Sequence, residues 1–253
     1  MNIGPRLDDD RRRELAGAYL SGAGRYDRVR PGYPSAVADW VVPADARQAV
    51  DVGAGTGLFT RDLVERGLEA TAIDPSEDML AVLATHLPEV PAVVGTAEQT
   101  GLPRSSADLL VLAQTWHWCD HAATVDEAAR VLRPGGRLAV VWNQLDVSLP
   151  WVHRLSRIMH AGDVFSPEDR PSFGPAFGAS EELLVHWTQE LAVEDVVDLA
   201  RSRSYYRRAG PALRSRVETN LSWYLTDYLA FRPEAVLRLP YYTHAWRADL
   251  PLP

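Results

Sequence analysis

The run Asp51-Val52-Gly53-Ala54-Gly55-Thr56-Gly57 carries the strongest chemical signal in the chain. An apolar stretch ends in an acid, and glycines follow at alternate positions. Such a loop sets bare backbone against a ligand at the start of a helix, where amides attract a carboxylate or phosphate. Nucleotide ligands of more than one class use loops of this kind, so spacing must discriminate. The dinucleotide fingerprint places its third glycine, or an alanine, three positions after the second. Here that position is Leu58, and Gly57 comes earlier. The spacing suits a ligand with a single carboxylate better than a pyrophosphate, while a dinucleotide and a purely structural turn stay open on the glycines alone. Asp74 closes the next apolar stretch, where a carboxylate can accept both hydroxyls of a ribose. Its bland alternative is an acid at a helix N-terminus beside Pro75. His117, between Trp116 and Trp118, titrates in the range a general base needs near pH 7. The alternative is a structural histidine packed between two indoles.

These groups need a scaffold, and alternating strand and helix patterns from about 48 to 142 provide one: a parallel sheet with helices on its faces. Strands are expected at Gln48 to Val52, Glu69 to Ile73, Ala92 to Val94, Asp108 to Ala113 and Arg137 to Trp142. The glycine loop leads into a helix near Leu58 to Arg66, stopped by Gly67. Ser76 can cap the next helix, on which Met79, Leu80, Leu83 and Leu87 share a face. A further helix spans Ala122 to Leu132, and Pro134-Gly135-Gly136 forces a turn before the fifth strand. From Asn143 to about Gly178 the pattern dissolves into prolines, glycines and aromatics around one helix near Trp151 to His160, which reads as an inserted lid. His153 and His160 share a face of that helix. Trp151, Phe165, Phe173, Phe177 and Trp142 are candidate walls of an apolar pocket, or else core. Periodicity returns with a strand at His186 to Val193, a helix beginning near Glu194, a helical segment from Pro211 to Phe231 and a last strand near Ala235 to Arg247. The tail Asp249-Leu250-Pro251-Leu252-Pro253 is expected to fray.

The 253 residues suit one domain with embellishments. Hydrophobic residues make up 46% and charged ones 24%, near globular averages, and no apolar run is long enough for a bilayer span. The start lacks the basic and apolar regions of a secretory signal, so a cytoplasmic location is expected. Cys119 is the single cysteine, which excludes an internal disulfide and a multi-cysteine zinc site, and no metal is expected. All 26 basic residues are arginine, which reads as base-composition bias and weakens Arg11-Arg12-Arg13 and Arg207-Arg208 as nucleic-acid signals. A formal charge of −8 lacks the basic balance that attracts a polyphosphate.

Taken in order, Val50 to Thr60, Ile73-Asp74-Pro75-Ser76, Gly95-Thr96-Ala97-Glu98, Gln114-Thr115-Trp116-His117-Trp118 and Leu132-Arg133-Pro134-Gly135-Gly136 resemble the class I S-adenosylmethionine-dependent methyltransferases, in the branch often labelled type 11. Tyr26-Asp27-Arg28-Val29-Arg30-Pro31-Gly32-Tyr33-Pro34, Ser202-Arg203-Ser204-Tyr205-Tyr206 and Leu239-Pro240-Tyr241-Tyr242-Thr243 are similar to a bacterial subgroup of that branch, one that includes trans-aconitate methyltransferases. The resemblance covers most of 26 to 247 and is weakest across the lid. It implies a Rossmann-like α/β three-layer sandwich, with a seven-stranded, mostly parallel sheet and the lid between strands five and six. One domain would comprise a cofactor-covering segment (1–45), a cofactor-binding core (46–142), the lid (143–183) and the rest of the sheet (184–248).

The same resemblance implies S-adenosyl-L-methionine as cofactor. Asp51, Gly53, Ala54, Gly55, Thr56 and Gly57 would hold its methionine part and Asp74 its ribose. Pro75, Ser76 and Met79 would flank the adenine, Ala97 would meet the adenine edge with its backbone, and Gln114 would offer a carbonyl to the ammonium. Related sequences often carry aspartate where Thr96 stands, leaving Glu98 either as a compensating group or as a solvent-facing one. Tyr26, Arg30 and Tyr33 belong to the segment that folds over the site, and Arg30 either pairs with the cofactor carboxylate or is an ordinary surface arginine. Tyr33, Trp116, His117, Trp118 and Trp142 are the expected acceptor-side residues, with His117 the candidate base. The expected activity is methyl transfer to an oxygen or nitrogen of a small molecule, a carboxylate or natural-product acceptor among the options. Arg30, Arg154 and Arg157 are candidate partners for such a carboxylate. A tRNA or other nucleic-acid methyltransferase and a nicotinamide oxidoreductase are the alternatives. Base-amine methylation is disfavoured by Gln114-Thr115-Trp116-His117 in place of an Asp or Asn followed by Pro-Pro and an aromatic. Cytosine-carbon methylation is disfavoured because Cys119 lacks a Pro-Cys setting.

Overall fold

The structure is a computed structural model, and it describes residues 29–159, 170–232 and 234–252. Seven strands form one sheet: β1 (Gln48–Val52), β2 (Glu69–Asp74), β3 (Ala92–Val94), β4 (Ala107–Ala113), β5 (Leu132–Leu145), β6 (Glu181–Ala192) and β7 (Val236–Asp249). Their order across the sheet is β3-β2-β1-β4-β5-β7-β6. The first five run parallel, and β7 is antiparallel to both β5 and β6. Parallel neighbours require crossover connections, and helices supply them. They are α1 (Ser35–Val41) ahead of the sheet, α2 (Leu58–Val64) after β1, α3 (Glu77–His86) after β2 and α4 (His121–Val131) after β4.

Burial on both faces explains the unbroken apolar run of β4. Leu110 and Leu112 point into one layer with Val125, Ala128 and Val131 of α4. Leu109 and Val111 point into the other, with Val37 and Val41 of α1 and Phe59 and Leu63 of α2. Helices on both faces of a mainly parallel sheet make the Rossmann-like three-layer sandwich expected from the sequence. At the start of α3 the Ser76 hydroxyl accepts the Met79 amide at 3.3 Å, the cap its position suggested.

The stretch between β5 and β6 differs in its boundaries. β5 runs on to Leu145 beyond the expected end at Trp142, and β6 starts at Glu181 ahead of the expected His186. The extra residues pair fully, from Leu145↔Tyr241 on one side of β7 to Glu181↔Arg247 on the other. α5 (Pro150–Met159) lies between them, with Val152, Leu155 and Met159 packed against Leu221 and Tyr224 and against Leu237 and Tyr241 of β7. Phe173 and Phe177 join the core beside Trp116, Trp142 and Trp246. The described parts of the expected lid therefore bury apolar side chains in the core. His160 and Phe165 lie outside the described residues.

Later, α6 (Asp195–Arg201), α7 (Ser204–Arg208) and α8 (Pro211–Ser222) precede a widened turn, Trp223–Tyr228, with π-helical bonding. The expected fraying beyond Asp249 is corrected. The Leu250 amide donates to the Gly136 carbonyl at 2.8 Å, and its carbonyl accepts the Gly135 amide at 3.1 Å. Leu250 still has an N–H to give, so pairing continues until Pro251, which has none.

Leu110 is 2% exposed at the centre of the sheet. Leu110→Ala is expected to lower unfolding stability by about 2–5 kcal/mol, read as a lower urea midpoint with an unchanged slope.

Candidate functional site

β1 ends in Asp51, and the chain must then turn away from the sheet to start α2. Gly53, Gly55 and Gly57 make that turn with φ of 72°, 57° and 89°, in the left-handed region that costs other residues steric strain. A Cβ on Gly53 would fall 2.2 Å from the Thr115 hydroxyl, so this glycine lets the ends of β1 and β4 approach. A Cβ on Gly55 would have no atom within 4 Å. The backbone there faces open space.

The loop amides are not arranged as the sequence suggested. Gly53 and Ala54 both donate to the Ile73 carbonyl, at 2.7 and 3.0 Å, and Gly57 donates to Ala54. Gly55 donates to Asp74 Oδ2 at 2.9 Å, and Ser76 donates to Asp74 Oδ1 at 2.8 Å. The loop amides of Gly53, Ala54, Gly55 and Gly57 thus fix the loop to β2 and to itself, because a buried turn must satisfy its own backbone. Asp74 is the tie between the two nucleotide-binding motifs, and each of its oxygens keeps a second lone pair for a hydroxyl donor.

Asp51 is 1% exposed. Thr60 donates to its Oδ2 at 2.7 Å, while Oδ1 is buried with no hydrogen-bond partner. Burial pushes its pKa up to about 7; the Thr60 hydrogen bond opposes the shift and the charge of Asp74 adds to it. An acid so placed is short of one cationic or N–H partner. Burial and then the Asp51 charge also raise the Tyr33 hydroxyl above its ordinary value, so the phenol stays protonated.

A cavity of about 160 Å³ opens over this loop. Its floor is Asp51, the stretch Gly53 to Thr56, Leu58 and Phe59. Met79, Ala113, Gln114, Thr115 and Asn143 also line it, as do Arg30, Pro31 and Tyr33 from the segment ahead of α1. Tyr33 sits edge-on to Phe59, with centroids 4.9 Å apart. Gln114 adopts φ 59°, an unfavourable value for a side-chain-bearing residue, held by its amide to the Val141 carbonyl and by Nε2 to the Asn143 carbonyl at 2.7 Å. Arg30 donates through Nη2 to the Ser202 carbonyl at 2.6 Å, which anchors it to the C-terminal end of α6.

The structure thus brings Arg30, Tyr33, Asp51, Gly53, Ala54, Gly55, Thr56, Met79 and Gln114 around one cleft. Gly57 shapes the loop beneath it, and Tyr26 lies outside the described residues. Pro75 and Ser76 belong to the turn into α3. Thr96, Ala97 and Glu98 follow β3, where Gly95 donates to the Asp74 carbonyl and Glu98 accepts the Asp120 amide at 2.8 Å. None of these five lines the cavity.

The acceptor-side expectations fare differently. Trp142 is a core residue, 2% exposed and edge-on to Trp246 at 5.1 Å, because its strand position points into the layer under α4 and not toward the cleft. Trp116 is equally buried, stacked on His121 at 4.5 Å. Trp118 is 65% exposed. His117 is half-buried against Trp118, outside the cavity lining, and burial lowers its pKa. Sequence reasoning missed Thr115 and Asn143. Asn143 had a signal, since it is the first polar residue after the apolar run Leu138 to Trp142 in a buried strand.

A mainly parallel sheet of this order with a glycine cleft at the carboxyl ends of β1 and β4 defines the Rossmann-like class of α/β folds. Comparison with known proteins narrows that class. A family model described as a methyltransferase domain matches residues 50–140. An uncharacterized methyltransferase of Mycobacterium tuberculosis is 41% identical over 239 residues, covering 94% of this chain and 98% of its own. The malonyl-[acyl-carrier protein] O-methyltransferase of Methylococcus capsulatus is 37% identical over 150 residues, 54% of each chain. Among solved structures, a provisionally assigned type II methyltransferase of Anaeromyxobacter dehalogenans superposes with TM-score 0.57 at 28% identity, covering 88% of this chain and 99% of that one. The chain belongs to the class I S-adenosylmethionine-dependent methyltransferases, type 11 family. Membership sets aside the nicotinamide alternative. Among the described residues no helix is long and apolar enough to cross a membrane, and no cluster of three or more His, Cys, Asp or Glu is placed to hold a metal.

Asp51 gives a pH prediction. The folded carboxyl titrates near 7 against an ordinary value of 3.8, so its protonated form favours folding and that contribution is lost as pH rises through this window. An ammonium ligand requires the ionised form. Affinity for S-adenosylhomocysteine, measured by calorimetry, is expected to fall by up to about tenfold per pH unit below about 7, and Asp51→Asn to abolish the slope.

Proposed function

We propose that the cleft over the glycine loop holds S-adenosylmethionine and that the chain methylates an oxygen or nitrogen of a small molecule. The observation that carries the site assignment is the buried, partnerless Asp51 Oδ1 beside the open backbone of Gly55. Together they fit a cofactor with a cationic amino-acid end and no room for a side chain beneath it. Asp51 would take its ammonium, Asp74 would receive ribose hydroxyls on its remaining lone pairs, and Met79 would pack against the base. Bound there, the cofactor supplies a methyl group on a sulfonium, transferred in line to the acceptor atom with S-adenosylhomocysteine as by-product.

The protein's part is then alignment and exclusion of water. Arg30, Pro31 and Tyr33 line the cavity and would limit its opening over a bound donor. Among the described residues Arg30 is the one arginine lining the cavity, a residue type that favours a carboxylate acceptor. The Methylococcus relative's name, an O-methyltransferase, supports oxygen as the acceptor atom. Arg154 stands apart from the cleft, over the rings of Trp223, Tyr224 and Tyr228 at 5.4, 5.3 and 4.8 Å, so it is a poor second candidate for the carboxylate. A net charge of −8 disfavours nucleic acid. Burial, reinforced by Glu98, pushes the Cys119 thiol up to about 11, which argues against a thiolate nucleophile for carbon methylation.

His117 remains the candidate base. Burial holds its pKa below the ordinary histidine value, which favours the neutral imidazole that a base requires. His117→Ala is expected to slow turnover at least about tenfold with unchanged affinity for S-adenosylhomocysteine. Full activity would reduce it to a packing residue.

The activity itself is tested with methyl-labelled S-adenosylmethionine and a fractionated bacterial extract. Label is expected in the small-molecule fraction, in a base-labile ester if the acceptor is a carboxylate. Label confined to RNA would overturn the small-molecule reading.

A further inference from the structure

One face of the β5-β7-β6 edge is apolar at Val141 and Ala245, and again at Leu145, Tyr241 and Leu191. Between these patches runs a row of polar groups. Asn143 and Thr243 are cross-strand partners, and Trp187 lies diagonally from Thr243 on β6. Trp187 Nε1 donates to Thr243 Oγ1 at 2.8 Å, Thr243 Oγ1 donates to Asn143 Oδ1 at 2.5 Å, and Asn143 Nδ2 donates to the Gly32 carbonyl at 2.8 Å. Thr243 is fully buried and Asn143 is 8% exposed.

The direction of this chain is forced. An indole N–H can only donate, so Thr243 must accept from it. The Asn143 amide cannot flip without setting its oxygen against the Gly32 carbonyl, so its Oδ1 faces Thr243 and takes the single hydroxyl proton. Its NH₂ group is therefore aimed at Gly32, in the middle of the Arg30 to Tyr33 segment that lines the cleft. Gln189, next on the same face of β6, holds the Val29 carbonyl at 3.0 Å. The Asn143 backbone carbonyl meanwhile fixes the Gln114 side chain on the cleft wall.

We infer that Trp187, Thr243 and Asn143 form a relay, buried at Thr243 and Asn143 and half-buried at Trp187, that holds the Arg30 to Tyr33 segment against the donor site, and that Thr243 and Trp187, which do not line the cleft, are positioning residues for donor binding. Burial of polar groups in an apolar face is costly unless every partner is present, so the relay acts as a unit. Losing the Thr243 hydroxyl orphans both the indole N–H and Asn143 Oδ1, frees the amide to rotate and releases Gly32. The segment then closes over the donor only part of the time, and donor affinity drops in proportion to the closed fraction.

The inference rests on the cleft being the donor site, and one titration series separates the two. Full-length wild type, Gly55→Val, Thr243→Val, Thr243→Ser and Trp187→Phe are titrated with S-adenosylhomocysteine by calorimetry, at a temperature where circular dichroism shows each folded. Thr243→Val is expected to raise Kd about tenfold, Thr243→Ser to restore it to within about twofold, and Trp187→Phe to weaken binding in the same direction as Thr243→Val. In turnover with labelled donor, KM for the donor is expected to rise more than kcat falls. Wild-type affinity in Thr243→Val, or equal weakening in Thr243→Ser, overturns the relay. If Thr243→Val does not fold, Trp187→Phe decides, since it keeps an aromatic ring on Tyr241 and loses the N–H; unchanged affinity there overturns the relay. Wild-type affinity in Gly55→Val overturns the donor-site reading instead.

Discussion

The turn after β1 is the constraint on which the rest depends. The chain must leave the centre of a parallel sheet and enter a helix within a few residues, and it does so through three left-handed glycines. Because those positions carry no side chains, the ends of β1 and β4 can close on each other at Gly53, and a strip of bare backbone stays open at Gly55. The sheet order then places this strip at the carboxyl ends of β1 and β4, where the strand order reverses direction, the natural crevice of an open α/β sheet.

Two acids convert the crevice into a site with a charge preference. Asp74 is committed to the backbone, clasping Gly55 and Ser76, and so keeps the loop in register with β2. Asp51 is held dry beside it with one oxygen unmatched. Burial makes that unfavourable for the ionised acid, and the elevated pKa expresses the cost. A cationic ligand would relieve it, which is why the proposed donor's ammonium is assigned to Asp51. The antiparallel end of the sheet contributes from the other side: β5, β6 and β7 carry the polar row that holds the Arg30 to Tyr33 segment against the crevice.

Much of this was legible from residue order because it follows from local rules. Apolar runs at strand length, Ser76 ahead of a helix and glycines at alternate positions all report their backbone conformation directly. What was not legible depends on distant partners. Trp142 looks like a pocket wall beside a loop, yet the alternation of β5 turns it into the layer beneath α4, where Trp246 from the far end of the chain meets it. The loop amides looked available to an anion, but Ile73 and Asp74 use them, a pairing visible only once β2 is placed alongside β1. Leu250 looked like a fraying tail, and the Pro134-Gly135-Gly136 turn that captures it is over a hundred residues earlier. Asn143 was readable as a polar residue at the end of a buried strand, although its partners Gly32 and Thr243 were not.

The account stands or falls on where the methyl donor sits. A crystal structure of the protein with S-adenosylhomocysteine tests this most directly. The account predicts the amino-acid end of the ligand over Gly55, with its ammonium within hydrogen-bond distance of Asp51 Oδ1 and its ribose hydroxyls on Asp74. Ligand density elsewhere, or density in the cleft with Asp51 Oδ1 still without a partner, would contradict it.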